Sequence, residues 1–250
     1  MPYIMAQEDI VRHISKVLVG VALPALILLS LTPVCSAGVV GSLDITNCDG
    51  GGVTVTATTI DWTPPIGGGN GCMVTGVPTS VTYTSGTLGA GVQGLILDLA
   101  AGGAVPDFMT FTGNPDLHFE LLSLGPGVAD TACAALTVDG TSCSVAAGSP
   151  FILTLTATGT SVSLSASGTA TDLSTAVSDW SGAFTTQIAG QTPGQIQTTI
   201  LGAGSVSSTY SGAFIVEIVP PVTVPEPASL LLVGGGLIAL ACLRRRKPRQ

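Results

Sequence analysis

Between Val53 and Val219 apolar and hydroxyl side chains alternate almost one for one, and that period commits the chain to β-sheet. Val53-Thr54-Val55-Thr56-Ala57 alternates throughout, and Leu153 and Leu155 interleave with Thr154 and Thr156. Val162, Leu164 and Ala166 interleave with serines, and Phe214, Val216 and Ile218 share one face. A period of two turns one face of a strand to a core and the other to water, the habit of antiparallel sheets. Threonine suits the outward positions because its β-branch fits the pleat. Turn residues break the runs at Gly50-Gly51-Gly52, Pro64-Pro65, Gly102-Gly103, Asn114-Pro115, Gly125-Pro126-Gly127, Asp139-Gly140 and Thr192-Pro193-Gly194. That spacing is near the ~8–12 residues expected of sandwiches, and no stretch carries a helical period. The expected fold is all-β, about ten to twelve strands in an antiparallel, jelly-roll-like β-sandwich over residues 38–219. One echo, Trp180-Ser181-Gly182-Ala183-Phe184 against Tyr210-Ser211-Gly212-Ala213-Phe214, is too little for a solenoid and marks two strands that begin alike.

Charge is segregated. All seven Lys and Arg lie near the ends, Arg12 and Lys16 at one and Arg244, Arg245, Arg246, Lys247 and Arg249 at the other. Twelve acids fall between Asp44 and Glu217, where His118 is the one side chain able to become cationic. Nucleic-acid binding needs phosphate neutralisation by Lys or Arg, so no nucleic-acid partner is expected. Catalytic lysines and arginine clamps are excluded with them. Stability must come from apolar burial, backbone hydrogen bonds and disulfides. Residues 38–224 suffice for one core and one domain.

Both ends read as addresses. Residues 1–37 have the form of a signal peptide travelling as a helix, with Arg12 and Lys16 ahead of the apolar run Val17 to Leu31. Small residues at Cys35-Ser36-Ala37 place signal peptidase cleavage between Ala37 and Gly38, with the secretory translocon as the implied partner. In an exported domain the four remaining cysteines, Cys48, Cys72, Cys133 and Cys143, point to disulfides. Three pairings are open, and proximity favours Cys48–Cys72 and Cys133–Cys143. A four-thiolate zinc site lacks the Cys-x-x-Cys spacing it would need.

At the other end a Pro-rich linker, residues 220–227, carries Pro225-Glu226-Pro227. An apolar stretch of 16 residues, Ala228 to Leu243, follows, and then the basic tail 244–250 opening on Arg244-Arg245-Arg246-Lys247. As a transmembrane helix the stretch reaches roughly 24 Å, short of the ~30 Å hydrocarbon core. Gly234, Gly235 and Gly236 weaken it by ~1 kcal/mol each relative to alanine. The positive-inside tendency leaves the basic end cytoplasmic and everything before Pro225 outside.

This order of motif, apolar stretch and basic cluster resembles the PEP-CTERM sorting signal. The resemblance implies a membrane-embedded exosortase as processing partner. It further implies a membrane-anchored precursor and delivery to the cell surface or extracellular matrix of a Gram-negative-type bacterium. In that family such tails accompany exopolysaccharide-producing envelopes, so the resemblance also implies a biofilm setting and extracellular polysaccharide as a partner.

Candidate chemistry inside the domain is sparse. On a strand, Asp116, His118 and Glu120 project to one face and Leu117, Phe119 and Leu121 to the other. The polar three have the residue types to ligate a divalent cation or form an acid/base pair, although solvation alone accounts for such a face. Asp44, Asn47 and Asp49 before Gly50 lack the spacing of a calcium loop and read as a polar turn. No G-x-S-x-G elbow is present. Trp62, Trp180, Tyr83 and Tyr210 would form a sugar-stacking platform if exposed, though burial suits them better. The expected function is a non-catalytic structural or interaction protein, not an enzyme, with no cofactor and no catalytic residue. A carbohydrate- or surface-binding module is the alternative, ahead of a hydrolase or an ice-binding protein.

Overall fold

Among the described residues sixteen strands carry the alternation. In chain order they are β1 (Val40–Asn47), β2 (Gly52–Val55), β3 (Thr59–Thr63), β4 (Gly71–Thr75), β5 (Ser80–Tyr83), β6 (Gly86–Leu88), β7 (Gln93–Ile96) and β8 (Leu99–Ala100). Then come β9 (Val105–Phe111), β10 (Asn114–Leu124), β11 (Ser142–Cys143), β12 (Phe151–Thr156), β13 (Gly159–Thr171), β14 (Ser178–Ala189), β15 (Val206–Ser208) and β16 (Ser211–Ile218). The structure, a computed structural model, describes residues 38–63, 70–100, 104–219 and 234–236.

Eight strands close into a barrel. The hydrogen-bonded path β10-β9-β7-β4-β1-β16-β14-β13 returns to its start because β10 also pairs with β13, and every pairing is antiparallel. The expected sandwich gives way here. Alternation fixes which face is buried, a property sandwiches and barrels share, whereas closure rests on a single long-range pairing. The edge of β13 is divided between two partners: β12 takes Gly159 to Leu164, and β10 takes Ala166 to Thr171. Beyond the seam the same inward face is covered by a second sheet, β15-β2-β3-β8, whose Val53, Ile60 and Trp62 join a core with Leu164 and Phe184.

Small and large residues face each other across the barrel wall. Gly168 stands opposite Trp180, Gly182 opposite Phe214 and Gly212 opposite Phe184. A Cβ at Gly182 would lie 2.6 Å from the Phe214 ring and 2.0 Å from the Ala213 carbonyl oxygen, so only glycine admits the aromatic. The two echoing segments are therefore direct neighbours. Their Ser-Gly-Ala-Phe runs pair antiparallel about Ala183 and Ala213, each glycine receiving the other strand's phenylalanine.

A helix stands where none was expected, α1 at Pro193–Leu201. Thr192 caps it, its side chain accepting from the Gln195 N–H while the Gln195 side chain accepts from the Thr192 N–H. Pro193 follows at the start. Ile196 and Ile200 of α1 pack with Val145, Leu153 and the half-cystines Cys133 and Cys143 in a second core cluster. Among the described residues no helix is long and apolar enough to cross a membrane. The expected signal-peptide helix, linker and basic tail lie outside the described residues, as does the apolar stretch apart from residues 234–236, which are helical.

Candidate functional site

Asp116, His118 and Glu120 do lie together on the outer face of β10, with Leu117, Phe119 and Leu121 buried behind them. Each finds a different partner. Asp116 accepts from the Ser85 hydroxyl at 3.2 Å, Glu120 accepts from the Thr169 hydroxyl at 3.3 Å, and His118 Nδ1 meets Asp107 Oδ1 at 2.7 Å. The carboxylate that engages the imidazole thus comes from β9, and the sequence pattern did not single it out. Asp107 sits at the irregular pairing of β9 with β10 and at a positive φ of 52°, neither of which an alternation pattern encodes. Among the described residues no three His, Cys, Asp or Glu side chains gather closely enough to hold a metal ion.

The other candidates are structural in their contacts. Asn47 Nδ2 donates to the carbonyls of Cys48 and Gly51, and its Oδ1 accepts from the Tyr210 N–H, so it ties the turn after β1 to the start of β16. Cys48 bonds Cys72 and Cys133 bonds Cys143, the pairing that proximity favoured. Trp62 and Trp180 are each 1 % exposed, and Tyr83 and Tyr210 are buried with them. The rings of Trp62, Trp180 and Tyr210 pack against aromatic neighbours, with Trp62 centred 4.6 Å from Tyr210 and 5.0 Å from Phe184. The sugar-stacking platform considered from sequence is spent on the core.

One carboxylate is strongly perturbed. Asp172, in the β13–β14 loop, accepts the Thr84 N–H at 2.7 Å and the Ser174 N–H at 2.8 Å. Partial burial pushes its pKa up, but hydrogen bonds from Ser174 and Thr84 outweigh that and bring it down to about 2. A carboxyl depressed on folding stabilises above its unfolded value, and the contribution is lost as pH falls through the folded one. Asp172→Asn should therefore cost about 1 kcal/mol at neutral pH, after allowance for solvent screening. The gap to the parent protein should close between about pH 4 and pH 2. Urea unfolding of both proteins across that range checks it, and a gap that persists below pH 2 would contradict it.

The sorting residues Pro225, Glu226, Pro227, Arg244, Arg245, Arg246 and Lys247, and the cleavage residue Ala37, lie outside the described residues, while Gly38 opens the described domain. Comparison with known families matches residues 223–247 to the PEP-CTERM protein-sorting motif. No curated protein and no solved structure matches the chain. The match spans 25 of 250 residues and identifies the tail, not the barrel. The chain carries a PEP-CTERM protein-sorting motif at its C-terminal end, the mark of an exported protein that an exosortase processes at the membrane.

Proposed function

We propose that the barrel is the non-catalytic cargo of this motif, a structural domain released to the cell surface or extracellular matrix. The observation that carries the proposal is position. The motif begins at residue 223, five residues after β16 ends at Ile218, so processing within it would release the disulfide-bonded domain whole. Composition supports the same reading. The outer face of β13 presents Ser161, Ser163, Ser165, Ser167 and Thr169, small hydroxyls without catalytic character. Contact with extracellular polysaccharide would fall to outward polar side chains, such hydroxyls among them, because the tryptophans and tyrosines of the described domain are buried.

Replacing Pro225, Glu226 and Pro227 with alanine in the producing cell tests the proposal. The variant should stay in the membrane fraction with its basic tail attached, and the surface pool should fall several-fold. An undiminished surface pool would overturn the proposal.

A further inference from the structure

The described chain enters and leaves the barrel at one end. β1 and β16 are antiparallel neighbours, with Gly41 opposite Val216, and Ser178 of β14 stands opposite Ile218. A Cβ at Gly38 would lie 3.2 Å from Ile218 Cγ1 and 3.3 Å from the Ala176 Cβ, so the first described residue sits against the end of β16 and the β13–β14 loop. Four apolar side chains are exposed at this same end: Leu173 at 69 %, Val177 at 46 %, Ile218 at 38 % and Val219 at 45 %. The loop that carries Leu173 and Val177 is fastened by Asp172 to Thr84 in the β5–β6 turn.

Single exposed apolar residues are ordinary, but four together beside the exit strand mean more. Five residues lie between Val219 and Pro225, and however they are arranged the six steps reach no farther than about 20 Å. With the apolar stretch after Pro227 in a bilayer, this end of the barrel is held within a short distance of the lipid headgroups. We infer that Leu173, Val177, Ile218 and Val219 form a lipid-facing surface on which the tethered precursor rests before its tail is processed. The inference depends on the sorting reading and adds an orientation to it. Asp172, Asp179 and Glu217 flank the patch, so the fitting surface is zwitterionic, because anionic lipid would repel these acids. Four partly exposed side chains are too few for a free domain to bind, and the tether makes the contact effective by raising the local concentration of lipid.

The test uses the full-length precursor carrying Leu173→Trp, reconstituted into phosphatidylcholine vesicles with brominated acyl chains. Trp62 and Trp180, each 1 % exposed, give a constant background. The control, Val138→Trp, changes a residue 63 % exposed near the opposite end of β13. There Gly140 N–H donates to the Leu155 carbonyl, and Leu155 pairs with Thr160, roughly 35 Å along β13 from Thr171. The added indole of Leu173→Trp should emit to the blue and lose most of its emission to bromine, while that of Val138→Trp does neither. Val177→Trp should behave as Leu173→Trp does. A precursor that floats with the vesicles but is quenched no more at Leu173→Trp than at Val138→Trp overturns the docking surface and leaves the sorting reading standing. A precursor that does not float overturns both.

Discussion

Trp180→Ala should cost about 3–5 kcal/mol and open the barrel at its seam. Trp180 is 1 % exposed and lies across the one pairing that closes the circuit. It stands over Gly168 on β13, and its indole N–H donates at 2.9 Å to the Glu120 carbonyl on β10. Its ring meets Phe214 edge-on at 5.3 Å and stacks near Phe108 at 6.4 Å, contacts worth about 0.5–1.5 kcal/mol each beyond simple burial. Removing the indole takes away that packing and leaves the Glu120 carbonyl without its side-chain donor. Trp180→Phe should retain part of the packing and lose about 1–2 kcal/mol, mostly for the unmet hydrogen bond. Gly168→Ala attacks the same seam from the other strand, because its Cβ would stand 1.8 Å from the Glu120 carbonyl oxygen. Denaturant unfolding with near-ultraviolet circular dichroism reads all three. A loss below about 1 kcal/mol for Trp180→Ala would mean that the seam does not depend on this residue.

The second large effect belongs to the Cys48–Cys72 disulfide. Its partners are 24 residues apart, so the chain-entropy model assigns it about 3–4 kcal/mol, against about 2–3 kcal/mol for Cys133–Cys143 at a separation of 10. The local structure favours that ranking. Cys72 lies on β4 between Gly71, against which Trp62 packs, and the fully buried Met73. The Tyr210 hydroxyl donates to the Cys72 carbonyl at 3.1 Å, and burial raises that hydroxyl's pKa well above its ordinary value. Cys48→Ala with Cys72→Ala should therefore loosen the start of β16 and the entry of β4 together. Cys133→Ala with Cys143→Ala should loosen only the cluster under α1. Comparison of the two double variants by denaturant unfolding checks the order. Equal losses, or a larger one for the shorter loop, would contradict it.

Most of the fold was legible because strand faces are a local property. Leu164, Ala166, Phe214 and Val216 are buried where alternation put them, and Ser165 and Ile215 between them are turned outward. Closure was not legible, because β10–β13 joins residues about fifty positions apart through a seam that relies on glycine as much as on apolar character. α1 escaped for a different reason. Thr192-Pro193-Gly194 has the composition of a turn, and the helix is announced only by the pairing of Thr192 with Gln195 three residues on, next to Pro193. The expected polar triad on β10 was correctly placed on one face. Its imidazole nevertheless turned to Asp107, because the neighbouring strand, and not the next residue along, supplies the nearest carboxylate.

Segregation of charge ties these pieces together. A barrel without Lys or Arg holds itself by aromatic packing, glycine-aromatic pairing and two disulfides, while every Lys and Arg stays near the two ends of the chain. A tail so foreign to its domain is suited to removal. Intact-mass measurement of protein extracted from the cell surface is the direct test. A chain beginning at Gly38 and ending before Arg244 is the expected result, and a surface-extracted mass that still includes Arg244 to Gln250 would contradict it.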